Sequence, residues 1–137
     1  MKIYSWNVNG IRSAVSKGLV QWLPSCDAAI VGLQEVRCPL EKIPPELEAI
    51  DGWHRHVVAA ERPGYSGVAL WSRMAPDEIV TSLDDPGFDA EGRLQIARFG
   101  KLWLANVYFP NGSGKDRSND RVPFKLAFYR ALFDRLE

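Results

Sequence analysis

Two side chains at expected strand ends, Asn7 and Glu35, have types and positions suited to chemistry on a charged ester. Glu35 comes just after the apolar run over 28–33, so its carboxylate projects from the carboxyl edge of a sheet, where ligand sites form in open α/β architectures. Asn7 ends the preceding strand and lies beside Glu35 if those two strands are neighbours. Carboxylate and carboxamide oxygens are hard ligands of the kind that hold Mg2+, and a carboxamide can also orient a carboxylate. Hydrolysis of a phosphodiester needs such a site, because charge on the phosphoryl oxygens and leaving group must be neutralised and a water held in line. Taken singly, each residue has a plainer reading: Glu35 as a solvated strand-end glutamate, Asn7 and Asn9 as turn asparagines ahead of Gly10.

Other candidates are less distinctive by type. Tyr108 ends a strand before Pro110, and Asn111-Gly112 reads by itself as turn chemistry. Arg12, Ser13 and Lys17 open a helix, where amides and basic groups can hold a phosphate, or simply be solvated. Gly64, Tyr65 and Ser66 form a glycine-flanked loop whose main chain can approach a ligand closely. In Glu91-Gly92-Arg93, the Arg93 guanidinium can simply pair with a core carboxylate. His54 and His56 alternate on a strand with no third ligand, so zinc is not indicated. Cys26 and Cys38 lack metal or redox spacing and fit two independent thiols in a reducing, cytoplasmic compartment.

The elements that must position these groups follow from hydrophobic periodicity. A strand over 2–8 leads into an amphipathic helix over 11–23, weakened at Gly18 and closed by Pro24; the run over 28–33 is a buried parallel strand. Pro45 starts a brief helix through residue 50, and strands follow over 53–59, 67–72, 78–83, 92–99 and 102–109, with a tight hairpin at 99–102. The run over 111–120 is a loop, after which Asn119 or Asp120 caps a final helix with Pro123 in its first turn. That helix presents Val122, Leu126, Tyr129, Phe133 and Leu136 at helical spacing, broadened by Phe124, Phe128 and Leu132. With 46% hydrophobic residues in a chain of 137, one domain with a real core is expected, and no long apolar span suggests a membrane. Seventeen basic and seventeen acidic residues cancel, so any nucleic-acid binding has to come from local groups. Many strands are apolar on both faces while only two good helices are available to cover them, so one sheet face is expected to meet something else.

The segments Ser5-Trp6-Asn7-Val8-Asn9-Gly10-Ile11-Arg12, Leu33-Gln34-Glu35-Val36-Arg37, Gly64-Tyr65-Ser66-Gly67-Val68-Ala69 and Tyr108-Phe109-Pro110-Asn111-Gly112 resemble, in that order, the N-terminal motifs of the exonuclease III / abasic-site DNA endonuclease family. Related branches of the same endonuclease-exonuclease-phosphatase superfamily include secreted DNases, inositol-phosphate phosphatases and sphingomyelinases; the wording of the last two motifs favours the DNA-repair branch. The resemblance implies an α/β fold with a mixed β-sheet flanked by helices, one half of a four-layer α/β/β/α sandwich (DNase I-like), residues 1–137 being the N-terminal half and the second sheet coming from the absent half. It implies Glu35 and Asn7 around Mg2+, with Mn2+ able to substitute, and Tyr108 and Asn111 at the scissile phosphate with Asn7. Arg12, Ser13, Lys17, Gly64 and Tyr65 are implied as DNA contacts, on double-stranded DNA with abasic sites or 3′ ends.

The family completes its site with an Asp-x-Asn element and an Asp-His pair. After Tyr108 this sequence has Asp116, Asp120 and Asp134, none in such a context. The chain is therefore expected to be inactive alone and to need its C-terminal half, or a second copy, over the bare sheet face. The rival reading is a non-catalytic half-domain that self-associates or binds DNA.

Overall fold

The computed structural model describes residues 1–114 and 118–137, so part of the expected loop over 111–120, including Asp116, lies outside the described residues. The elements run β1 (Ile3–Asn7), α1 (Ile11–Ser16), α2 (Leu19–Ser25), β2 (Ile30–Gln34), α3 (Pro45–Glu48), β3 (His54–Val58), β4 (Val68–Ser72), β5 (Glu78–Val80), α4 (Pro86–Asp89), β6 (Leu94–Phe99), β7 (Leu102–Val107) and α5 (Val122–Leu136), with a 3-10 turn at Leu40–Lys42. Four strands form one sheet in the order β1-β2-β4-β3, and three form another in the order β5-β6-β7. Among the described residues, only the β1–β2 pairing is parallel.

The strand sequences explain the layering. On β2 and β4, Val31, Leu33, Ala69 and Trp71 face α1, α2 and α3, where they pack with Ile11, Leu19, Leu23 and Leu47. The alternate residues Ile30 and Leu70 face the second sheet and pack with Ala97 and Phe99 of β6. Leu94 and Ile96, on the far face of β6, pack on Phe128 and Leu132 of α5. All four layers, helix, sheet, sheet and helix, are thus begun within this chain. The expectation that the second sheet comes wholly from elsewhere is corrected: doubly apolar strands are satisfied by each other across the sheet interface. The edge strands are β1 and β3 in one sheet and β5 and β7 in the other; β1 and β7 present Ile3, Trp6 and Trp103 to solvent at 41, 39 and 53% exposure.

Three further expectations change. The first helix breaks into α1 and α2 at Gly18, which is left-handed at φ 106°, and Pro24 lies inside the last turn of α2 instead of ending it. Asp85-Pro86 starts a single helical turn, with Asp85 Oδ1 accepting from Gly87 N at 2.8 Å and Phe88 N at 3.3 Å, where a turn and a longer β5 were expected. On α5 the residue preceding the helix is Arg121, which gives no side-chain cap, and the buried seam is Phe128 and Leu132. The stripe from Val122 through Leu126 and Phe133 to Leu136 faces solvent, because spacing alone cannot choose between two apolar faces of one helix.

Buried polar groups run through the sheet interface. The Asn106 amide nitrogen is surrounded by Leu33 O at 3.2 Å, Ala69 O at 3.0 Å and Gln95 Oε1 at 3.1 Å, and Gln34 Nε2 donates to Asn106 Oδ1 at 2.9 Å. Gln34 also reaches Ser5 Oγ at 3.0 Å, and Gln95 reaches the His56 carbonyl at 2.8 Å. Gly32 makes room for this bridge: a Cβ there would stand 3.0 Å from Asn106 Oδ1. Asn106→Ala is expected to destabilise the fold by about 2–4 kcal/mol, since it strands several buried partners. Gly32→Ala should cost roughly 1–3 kcal/mol alone and much less in the Asn106→Ala background; strictly additive urea-denaturation energies would show that the two positions do not meet.

Candidate active site

β1 and β2 end together, with Asn7 opposite Gln34 in the parallel register, so Asn7 and Glu35 leave the sheet side by side. The backbone at this edge is held in left-handed conformations at Asn9 (φ 47°), Gly10 (103°), Glu35 (53°), Arg37 (52°), Ser66 (50°) and Gly67 (87°). Non-glycine residues adopt this region only where surroundings impose it. The imposing contacts are main-chain hydrogen bonds linking three loops: Gly10 N to Glu35 O at 2.8 Å, Ile11 N to Val36 O at 2.9 Å, Val36 N to Gly67 O at 3.0 Å and Arg37 N to Ser66 O at 2.8 Å. The Asn-Val-Asn-Gly and Gly-Tyr-Ser-Gly segments are the local cause, since Gly and Asn accept positive φ most readily.

On this edge Asn7 Nδ2 donates to Glu35 Oε1 at 3.0 Å, and Asn7 Oδ1 accepts from Asn9 N at 3.0 Å. The Tyr108 hydroxyl, one residue past the end of β7, stands near the same carboxylate from the second sheet, close enough for each to influence the other's ionisation. Burial opposes ionisation of Glu35 more than any other single influence, yet the Asn7 amide, the Tyr108 hydroxyl and the Arg37 guanidinium together hold it below the usual carboxylate range. Burial, reinforced by the adjacent Glu35 charge, pushes the Tyr108 hydroxyl up, so it is a neutral donor at ordinary pH. Glu35 Oε2 is buried without a directed hydrogen bond, although Arg37 NH2 stands 2.7 Å away.

The Glu35 carboxylate and the Asn7 carboxamide oxygen are hard donors of the kind that can hold one side of a divalent cation, and Glu35 Oε2 is paired here with Arg37 at 2.7 Å. Among the described residues, no three His, Cys, Asp or Glu side chains gather around a common point.

The other sequence candidates are placed less uniformly. Arg12 and Ser13 are exposed in the first turn of α1, and Lys17 lies at its end, beside Trp6 and Trp22. Gly64 is an open left-handed turn position (φ 71°). Tyr65 donates its hydroxyl to Glu91 Oε2 at 2.9 Å. Asn111 is exposed, and its side-chain oxygen accepts from Ser113 N at 3.1 Å in a local turn; the structure does not join it to the Asn7, Glu35 and Tyr108 group. Arg37, part of the Glu35 surroundings, escaped sequence reasoning as a site residue; the carboxylate that Arg93 was expected to pair with is Glu91, the centre of a polar cluster with Tyr65, Arg93 and Arg121. For that cluster the available signal was the Glu-Gly-Arg wording.

A model of the Endonuclease/Exonuclease/phosphatase family matches residues 4–133. The chain is 31% identical over 133 residues to the exodeoxyribonuclease of Bacillus subtilis (strain 168), covering 96% of this chain and 50% of that protein. It is 34% identical over 115 residues to the DNA repair nuclease APEX1 of Danio rerio, covering 82% of this chain and 37% of that one. Among solved structures, the 3′-5′ exonuclease NExo from Neisseria meningitidis superposes with TM-score 0.80 at 29% identity, over 98% of this chain and 50% of its own. The chain therefore spans half or less of the length of these relatives.

Beside this edge, burial works against the Glu91 charge, but Arg121, Arg93 and the Tyr65 hydroxyl hold its carboxyl below the usual glutamate range. Its folded pKa lies below the unfolded one, so its stabilisation is complete above roughly pH 4 to 5 and is lost as pH falls through the lower folded value. Urea denaturation across this acid range should show wild-type stability falling more steeply than that of Glu91→Gln. Parallel profiles would contradict the ion-paired role.

Proposed function

Because the chain belongs to the endonuclease/exonuclease/phosphatase family, we propose that it carries the metal-holding and tyrosine-bearing side of a DNA-repair phosphodiesterase site. The substrate is double-stranded DNA at abasic sites and 3′ ends. The observation that supports this reading most is the convergence of Asn7, Glu35 and Tyr108 on one carboxyl edge from two different sheets.

Glu35 and Asn7 hold Mg2+, or Mn2+ in its place, and that ion neutralises charge on the phosphoryl oxygens when bound. Asn7 keeps the Glu35 carboxylate aimed through the Nδ2 to Oε1 bond, while the left-handed backbone of Asn9 and Glu35 holds both in place before substrate arrives. The neutral Tyr108 hydroxyl donates to the phosphate, and Asn111 turns its amide toward it once DNA replaces the local turn contact. Arg12, Ser13, Lys17, Gly64 and Tyr65 meet the DNA backbone, positioning it without reading bases.

Among the described residues no general base stands at this edge, and in this reading further polypeptide completes the site. The unpaired edges of β1 and β7, with exposed Ile3, Trp6 and Trp103, suit additional strands from the C-terminal half of the fold; a second copy is the alternative occupant.

The chain alone, incubated with an abasic duplex and Mg2+, is expected to leave the DNA intact. Fused to the C-terminal half of the Bacillus subtilis relative it should incise, with Glu35→Ala lowering the rate by about 100-fold or more. Incision by the fusion that is indifferent to Glu35→Ala would overturn the assignment of the metal site.

A further inference from the structure

The Glu91-Gly92-Arg93 segment has no part in the reading above, yet its side chains touch both tyrosines that the reading uses. Arg93, only 4% exposed, stands at the start of β6. Its Nε donates to Glu91 Oε2 at 2.8 Å, its NH2 to the Tyr65 hydroxyl at 2.8 Å, and its NH1 to the Tyr108 carbonyl at 3.1 Å. The Arg93 carbonyl in turn accepts from Tyr108 N at 2.9 Å. The guanidinium carbon lies 5.6 Å from the centroid of the Tyr65 ring and 5.0 Å from that of Tyr108. Glu91 completes the cluster by accepting the Tyr65 hydroxyl at 2.9 Å on Oε2 and Arg121 NH2 at 2.7 Å on Oε1.

Gly92 is what lets the cluster sit here. A Cβ at this position would meet Ala60 N at 2.6 Å and the Ala59 carbonyl carbon at 2.7 Å, so the segment presses directly on the chain leaving β3. Glu61 N donates to Ala90 O at 2.9 Å from the same stretch, and Ser66 Oγ reaches the Gly92 carbonyl. The loop bearing Tyr65 is therefore tied to the segment by backbone as well as side chain.

A plain buried ion pair would explain Glu91 and Arg93 by themselves, but such a pair is weak support for stability, since its desolvation cost can exceed its attraction. The geometry points to a different use. We propose that Glu91 and Arg93 are positioning residues that bind Tyr65 and Tyr108 into one unit, so that where the DNA-contacting loop sits determines where the tyrosine at the phosphate sits. The roles of the two tyrosines rest on the nuclease reading; their coupling does not. The planar guanidinium is suited to this because its fork donates in several fixed directions at once, which an ammonium on a flexible stem cannot reproduce.

The chain has four tyrosines, Tyr4, Tyr65, Tyr108 and Tyr129, so protein labelled with 3-fluorotyrosine gives four 19F resonances, assignable by single Tyr→Phe changes. In Arg93→Lys and in Glu91→Gln, the Tyr65 and Tyr108 resonances are expected to shift and broaden together while Tyr4 and Tyr129 stay in place. Movement of only one of the pair, movement of all four, or a lowered melting temperature with an unchanged spectrum would each overturn the proposal. If Arg93→Lys does not fold, Glu91→Gln, which preserves shape, decides by the same criterion. Titration of the wild-type chain with an abasic duplex separates the two claims. A duplex that leaves Tyr65 and Tyr108 unmoved, while the variants move them together, refutes DNA contact at this edge and leaves the coupling established.

Discussion

The carboxamide of Asn106 lies between the two sheets with acceptors from β2, β4 and β6 around its nitrogen and a donor from Gln34 on its oxygen. An apolar sheet interface would tolerate sliding, since hydrophobic contact has little directional preference. A buried amide does not, because each displaced partner is left without water or a substitute. Tyr108 follows two residues after Asn106, and Glu35 follows one residue after Gln34. The register set at Asn106 is therefore the register at which the hydroxyl from one sheet stands near the carboxylate from the other. Gly32 is part of the same constraint, since a side chain there would crowd the space into which Asn106 projects.

The carboxyl edge carries a second layer of definition. Positive φ at Asn9, Glu35, Arg37 and Ser66 would relax in an isolated peptide, yet main-chain bonds among three loops oppose that relaxation. The result is a carboxylate with one oxygen fixed by Asn7 and the other paired with Arg37 at 2.7 Å, which together keep it ionised against burial. Tyr65 and Tyr108 are joined behind this edge through Arg93, so the two loops that frame the site are parts of one polar cluster. Preorganisation of this kind lets binding groups act without reordering when substrate arrives.

The sandwich has all four layers. Helices cover both outer faces, and the two sheets cover each other, while β1 and β7, like β3 and β5, are edge strands without outer neighbours. The same holds on α5, where Val122, Leu126 and Phe133 stay exposed although their spacing marks an apolar face. Both features agree with a chain that spans half or less of the relatives it matches.

By itself the sequence determined the kind of fold, the positions of most strands, the hairpin at residues 99–102, and the four motifs that place Asn7, Glu35, Tyr65 and Tyr108 at turns. These are local properties, set by side-chain alternation and by the tolerance of Gly and Asn for unusual backbone angles. The tertiary structure decided that the strands divide into two facing sheets, that α5 buries Phe128 and Leu132 and exposes its other stripe, and that Asn106 and Gln95 are interior. None of these follows from spacing. A doubly apolar strand is equally consistent with a helix or a sheet on its second face, and an asparagine in such a strand reads as an interruption until the carbonyls it joins are brought opposite it. Arg37 is legible only in the same way, because a guanidinium acquires its meaning from the groups that surround it; for Arg93 a carboxylate partner was expected, and the structure supplies Glu91 together with the two tyrosines.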